Sequence, residues 1–240
     1  MSSASPLGTV KRTYAAVARR GGRVARGIGL LKDATPPLEQ RLRHWLYSLT
    51  SVHDSLAIAR MDVPWWSYGS IDAVSSWMSR RSDPVRVYEY GSGASTFWLA
   101  RRAAEVHSVE HHRGFGDMMA GELAALPNVS FRVVESTPSA NPSIGSAKEG
   151  HGGQDFTDYV TSIEAVDGEF DLVVVDGRAR EASLSAALPR LAADGLIVFD
   201  NSRRRRYRRA IAAADVAEAR YFGLTPTLPY PDQTSLLRRR

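Results

Sequence analysis

The sequence contains no cysteine, which excludes disulfides, thiolate nucleophiles and Cys-ligated zinc. No apolar run approaches the roughly 20 residues that cross a bilayer as a helix. The basic N-terminus offers only the short apolar stretch GIGLL, below the roughly 7–15 residues of a secretory signal core. These absences lead to the expectation of a cytoplasmic protein without a transmembrane segment. What is present is 240 residues, 43% of them hydrophobic, enough for one domain with a sizeable core.

The formal charge of +5 is unevenly placed. Residues 1–35 hold seven Lys/Arg and one acid, residues 203–209 six arginines, and residues 238–240 three more. The rest of the chain is net acidic, so the basicity belongs to patches rather than to the whole surface. Residues 1–35, rich in Gly, Ser, Ala and Arg, read as a disordered basic tail. Such a tail is either solvated or an arm for nucleic acid or a membrane surface, and the solvated reading is favoured.

Residues 36–240 form the expected domain, with N-terminal helices over 36–82 and a sheet core over 83–240. Leu42, Trp45, Leu46, Leu49, Val52 and Leu56 recur at helical spacing, and Pro64 ends the run. A second helix is expected from Ser70 to Arg80, with Ser67 or Ser70 as its cap. Strands then alternate with helices: VRVYEY (85–90), VHSVE (106–110), VSFRVVE (129–135), FDLVVVDG (170–177) and GLIVFDN (195–201). Leu172 to Val175 are apolar without alternation, the pattern of a strand buried on both faces. The expectation is a doubly wound α/β fold with a parallel sheet. The last two strands, ARYFGL and TSLLRR, have no room for a helix between them and should pair antiparallel. The Gly-, Ser- and Pro-rich segment 136–156 is too long for an ordinary connection and is either a lid or a disordered insertion.

The first strand ends in VYEYGSGAST (87–96). Glycines there let a ligand approach the backbone, and the following helix aims N–H groups at it. Gly91 and Gly93 match a dinucleotide loop, but Thr96 stands where the third glycine belongs, and no lysine follows as a phosphate loop requires. Glu89, two residues before Gly91, would repel a pyrophosphate. Glu110 lies 19 residues after Gly91 at the end of the second strand, placed to accept hydrogen bonds from ribose hydroxyls. Together these features suit a nucleoside without phosphate and with a positive centre, such as S-adenosylmethionine.

The series VYEYGSGAST, VHSVEHH, FDLVVVDG, GLIVFDN resembles a class I S-adenosylmethionine-dependent methyltransferase over roughly residues 64–240. The resemblance implies a Rossmann-like seven-stranded sheet with an antiparallel last strand. It implies that Glu89, Gly91 and Gly93 contact the methionine part and Glu110 the ribose. Ser95 and Thr96 would place hydroxyls near the carboxylate. His111 and Tyr68 join the expected cofactor pocket, Tyr68 as part of the aromatic stretch PWWSY, which is suited to cover a sulfonium or to pack the N-terminal helices.

Asp176, Asp200 and Asn201 end neighbouring strands and are hard ligands suited to Mg²⁺ or Ca²⁺. This set resembles the metal-dependent O-methyltransferases of the catechol and macrolide-sugar type, with Asp176 the catalytic candidate. The other reading has Asp176 shaping the cofactor pocket and Asp200-Asn201 capping the next helix. Where catechol-type enzymes carry a lysine base, this chain has Arg178 and Arg180. Arginine stays protonated; it is suited to bind an acidic substrate or steady an oxyanion. His111, His112 and His151 are candidate bases.

The expected activity is O-methylation of a small molecule, with an acidic acceptor and Mg²⁺ assistance as options. The alternatives are a nucleic-acid methyltransferase using the arginine run 203–209 and a noncatalytic nucleic-acid- or membrane-binding module using the basic tail 1–35 together with that run.

Overall fold

Leu172, Val173, Val174 and Val175 are each fully buried, and they alternate between two separate apolar clusters. That is the arrangement expected of a strand covered by helices on both faces. The computed structural model describes residues 34–51, 54–148 and 150–240. The expectation for the tail therefore falls almost wholly outside the described residues.

The main sheet contains β1 (Arg86–Tyr90), β2 (Glu105–Glu110), β3 (Val129–Val133), β6 (Phe170–Val175), β7 (Leu191–Phe199), β8 (Val216–Gly223) and β9 (Asp232–Arg239). The two-residue strands β4 (Thr137–Pro138) and β5 (Gln154–Asp155) form a separate antiparallel ladder. The sheet order is β3-β2-β1-β6-β7-β9-β8. β1, β2, β3, β6 and β7 are parallel, and β9 inserts antiparallel between β7 and β8. The doubly wound sheet and the terminal hairpin are as expected.

One face is covered by α2 (Ser55–Arg60), α3 (Tyr68–Ser79), α4 (Ala94–Ala100) and α5 (Arg113–Ala124), through Ile58, Val74, Leu99 and Met119 among others. The other face is covered by α6 (Thr157–Thr161), α7 (Arg180–Ala187) and α8 (Arg205–Ala213), through Tyr159, Leu184 and Ile211. The order reverses between β1 and β6, both of which have crossovers leading away from that gap. Ligands in such sheets bind beyond the carboxyl ends of the strands at this point.

Two local expectations change. The single helix read from Leu38 to Leu56 is split into α1 (Arg41–Ser48), a short 3₁₀ turn at Leu49–Ser51, and α2. Asp54 restarts the helix by accepting a hydrogen bond from the Ala57 N–H at 2.9 Å; Val52 lies outside the described residues. At the start of α3, Ser67 occupies the cap position but points its hydroxyl at the Tyr221 carbonyl, 2.9 Å away, which ties the helix to β8.

The segment 136–156 is folded over its described residues. Its ends pair through β4 and β5, Ile144 packs on the second apolar cluster, and the Phe156 N–H donates to the Ile144 carbonyl at 2.8 Å.

Candidate active site

Alternation along β1 sends Val87 and Glu89 to the α4 side of the sheet and Tyr88 and Tyr90 to the α6 side. At the end of the strand the chain turns through Gly91, whose φ of +94° favours glycine. A Cβ there would lie 2.7 Å from the Gly177 backbone, so the ends of β1 and β6 can approach only without one. Gly177 has its own constraint: a Cβ would lie 1.9 Å from the Tyr159 hydroxyl. Gly93 faces open space, with nothing within 4 Å of a built Cβ.

Glu89 is completely buried beneath this turn. Ser95 donates to Oε1, and Thr96 and Ser108 donate to Oε2, each at 2.5 Å. Ser92 lies 2.6 Å from the Ser108 hydroxyl, and the Gly93 N–H donates to Thr96 Oγ1 at 3.0 Å. Burial pushes the Glu89 carboxyl up to about 7 against the pull of these hydroxyls. The network changes the roles expected of Ser95 and Thr96. Hydroxyls that give their protons to Glu89 cannot also donate to a ligand carboxylate, though they still accept. Sequence reading missed Ser108, yet it is the parallel register partner of Glu89, and a hydroxyl opposite a buried acid was a readable signal.

Glu110 ends β2 on the neighbouring edge of the site. Its Oε1 accepts from the His112 N–H at 2.7 Å. His111 Nδ1 also lies 2.7 Å from Oε1 but forms no hydrogen bond in this geometry. The His112 imidazole caps α5, accepting from the Phe115 N–H at 3.1 Å, which removes it from the candidate bases. His111 is surrounded by aromatic groups: His151 at 5.8 Å, Tyr159 at 5.9 Å and Phe156 at 6.0 Å between ring centroids. His151 therefore reaches the site from the 136–156 segment. Burial first, then the Arg178, His111, Lys148 and His112 charges, bring its imidazole down to about 4. It is neutral at physiological pH.

Tyr159, which the sequence did not flag, is fully buried, and its hydroxyl has no hydrogen-bond partner. Arg178 Nε is likewise shielded without a hydrogen-bond partner, whereas His111 Nδ1 faces Glu110 Oε1. Buried polar atoms are satisfied in the great majority of cases, so two unsatisfied ones, on Tyr159 and on Arg178 next to Gly177, single out this part of the molecule as a candidate ligand site.

Asp176 and Asp200 do come together at the ends of β6 and β7, and Arg180 lies between them. The Arg180 guanidinium donates to Asp176 Oδ1 at 2.7 Å and to the carbonyls of Asp176, Gly177 and Asp200 at 2.7, 3.0 and 2.6 Å. Its Nη1 is 3.7 Å from Asp200 Oδ2, and Thr234 donates to Asp200 Oδ1 at 2.8 Å. Burial raises both carboxyls above the usual range, each reinforced by a neighbouring acid and opposed by Arg180. Asn201 turns away in a left-handed conformation, φ +52°, and its amide donates to Asp232 at 2.9 Å. The expected metal ligands Asp176, Asp200 and Asn201 therefore do not fit a divalent ion: one donor points elsewhere, and a buried guanidinium already supplies the positive charge. Among the described residues no group of three metal-ligating side chains converges. Asn201 does not cap α8 either; that helix begins after Arg204.

Ala179, in the left-handed region at φ +46°, separates the two arginines that the sequence paired. The sharp turn sends Arg180 into the carboxylates and leaves Arg178 half-buried, with no side-chain hydrogen bond among the described residues.

Tyr68 is buried on the side of the N-terminal helices. Its hydroxyl lies 2.6 Å from His44 Nδ1 and the Arg41 guanidinium sits over its ring, while Trp66 packs edge-on against Trp98. Packing accounts for this aromatic stretch, and no described hydrogen bond links Tyr68 to the glycine turn. The arginine run is partly committed within the fold. Arg206 donates to the Ala147 carbonyl at 3.1 Å, tying α8 to the 136–156 segment, and Arg208 pairs with Glu218. Among the described residues no helix is long and apolar enough to cross a membrane.

Residues 88–202 match a family model described as a methyltransferase domain. Among solved structures the chain is similar to the O-methyltransferase TomG from Streptomyces achromogenes, involved in tomaymycin synthesis and solved in complex with SAM. The identity is 18% over 78% of this chain and 89% of that one, with a TM-score of 0.53. It is also similar to an rRNA methylase from Streptococcus thermophilus, at 10% identity over 71% and 96% of the two chains and a TM-score of 0.49. A methyltransferase-like protein from Silicibacter pomeroyi DSS-3 shares 22% identity over 71% and 86%, with a TM-score of 0.45. No curated protein matches the chain in sequence.

Proposed function

The chain is a class I S-adenosylmethionine-dependent methyltransferase, and from that premise we propose that it O-methylates a small molecule without a divalent metal. The observation that carries this reading is the folded 136–156 segment, which lays His151 against His111 at the mouth of the site. A site closed on that side suits a small acceptor better than a nucleic-acid duplex. Two imidazoles at the acceptor side suit a hydroxyl, which must lose its proton when it is methylated.

The residues fit the cofactor. Gly91 and Gly177 keep the strand ends close, and the space beside Gly93 is open. Glu110 presents Oε2 for ribose hydroxyls, its Oε1 being taken by the His112 N–H and the facing His111 Nδ1. Glu89 holds the turn from beneath, through Ser95, Thr96 and Ser108. When bound, S-adenosylmethionine supplies the methyl group: a C–O bond forms as the S–CH₃ bond breaks, leaving S-adenosylhomocysteine and one proton. The protein's part is to hold the acceptor oxygen in line and exclude water. His151, kept neutral, is the group we assign to receive the proton. Arg180 fixes the Asp176 carboxylate at the floor of the acceptor side and takes the charge-balancing role that a metal has in catechol-type enzymes.

Two measurements test this. Saturating S-adenosylmethionine should raise the stability of the wild type, by about 2.7 kcal/mol at a hundredfold excess over Kd, and Glu110→Ala should abolish the rise. Methyl-labelled cofactor should then mark small hydroxylated acceptors from an extract in the absence of added metal. Label that appears only in RNA or DNA, or only after Mg²⁺ is added, would overturn the reading.

A further inference from the structure

Arg178 is an anomaly in this molecule. It lies between two fully committed neighbours, the Asp176 carboxylate and the Arg180 guanidinium, yet among the described residues its side chain makes no hydrogen bond and no ion pair. Its Nε is shielded from solvent without a partner. Burial and the Arg180 charge both act against its protonation, and only Tyr159, Glu110 and Tyr207 oppose them weakly from a distance. Leaving the Nε–H of a half-buried guanidinium shielded and unpaired is costly, and a folded chain tolerates it where a partner arrives from outside.

The surroundings describe that partner. Tyr159 contributes a buried hydroxyl with a free proton, and His151 and His111 contribute imidazoles on the same side. Lys148 and His112 add to the positive potential felt at His151, while Glu110 and Asp176 are acids whose charge reaches Arg178. Arg178 offers the planar fork that matches a carboxylate.

Resting on the methyltransferase reading, we infer that Arg178, with Tyr159 and His151, forms an anion subsite for the methyl acceptor, and that the acceptor is a small hydroxylated carboxylic acid. The subsite also gives His151 its purpose. Burial is the first cause of its weakness as a base and the Arg178 charge the second; a carboxylate beside Arg178 cancels the second, so the base is strengthened when the acceptor is seated. Selection of the substrate and activation of its hydroxyl are thereby joined in one ion pair.

The test uses the full-length protein and two probes of equal shape, sodium acetate and neutral acetamide, followed by NMR at the Arg178 Nε–H and the histidine imidazoles. Acetate should shift the Arg178 signal and raise the His151 titration midpoint, and acetamide should do neither. Arg178→Gln should weaken acetate binding roughly 10- to 100-fold, the range of a lost charge-assisted hydrogen bond, and Arg178→Lys should restore part of it. Equal effects of the two probes, or unchanged acetate binding in Arg178→Gln, would overturn the proposal. So would displacement of acetate by S-adenosylhomocysteine together with loss of S-adenosylhomocysteine affinity in Arg178→Gln, since Arg178 would then hold the cofactor's own carboxylate. The acetate titration needs no cofactor. Calorimetry with S-adenosylhomocysteine on the wild type is therefore a separate result: no binding there sinks the methyltransferase reading and leaves the anion site standing or falling on acetate alone.

Discussion

The two sides of the site are built on opposite rules. Along the ends of β1, β6 and β7 every charge is answered from within: Glu89 by three hydroxyls, Asp176 and Asp200 by Arg180. Along the side made by α6 and the β6–α7 turn, Tyr159 and Arg178 each keep a buried polar atom without a hydrogen-bond partner. The first side is a scaffold whose interactions are complete on folding. The second is complete only with ligand. The contrast between Arg178 and Arg180 is the sharpest form of this, because two residues of the same type, two positions apart, fall on opposite sides of it.

If the first side is a closed scaffold, breaking it should cost the most. Arg180→Met leaves two buried carboxylates without their cation, and a loss of about 3–5 kcal/mol in chemical denaturation is expected. Acidic pH should restore part of it as Asp176 and Asp200 protonate. A loss below about 1 kcal/mol would mean that Arg180 is not the counter-charge described here.

Glu89 should show a smaller effect with a distinct pH signature. Its folded carboxyl titrates at about 7, above the ordinary 4.5. The folded state therefore binds the proton more tightly, and the contribution is full below the unfolded value and lost as pH rises through about 7. The span corresponds to about 3 kcal/mol. Glu89→Gln should remove this slope, gaining on the wild type between pH 5 and pH 8 in urea unfolding. A constant gap between the two proteins over that range would refute the buried-acid account.

The second side should respond with the opposite sign. Tyr159→Phe deletes a hydroxyl that has no partner in the free protein, so the cofactor-free form should gain about 1 kcal/mol. Acetate affinity should fall, by about tenfold, when followed by NMR titration. A destabilised free protein with unchanged affinity would move Tyr159 from the open side to the scaffold.

Much of this fold was legible in the chain. The unalternating Leu172–Val175 run marked a doubly covered strand, and the short Pro-rich link before residue 234 marked an antiparallel end. The glycine turn was legible too: Gly91 takes the left-handed φ, and Glu89 is buried beneath it. The acceptor side was much less legible. Asp176, Asp200 and Asn201 read as a ligand set because strand ends were known and side-chain directions were not. Tyr159 carried no signal, because its meaning comes from where its hydroxyl lies against Gly177. The pair Arg178 and Arg180 read as equivalent because a single left-handed residue, Ala179, is invisible in composition.

By itself, then, the sequence determined the sheet, the turn and the class of cofactor, since these follow from hydrophobic period and from glycine and acid placement along neighbouring segments. Only the tertiary structure decided that Arg180 stands where a metal was expected, that His151 reaches the site from a segment some forty residues away from His111, and that Arg178 is left without a partner. Those outcomes depend on whether polar atoms far apart in sequence meet within hydrogen-bond distance, and a shift of an ångström or two separates a satisfied ion pair from a vacant binding group.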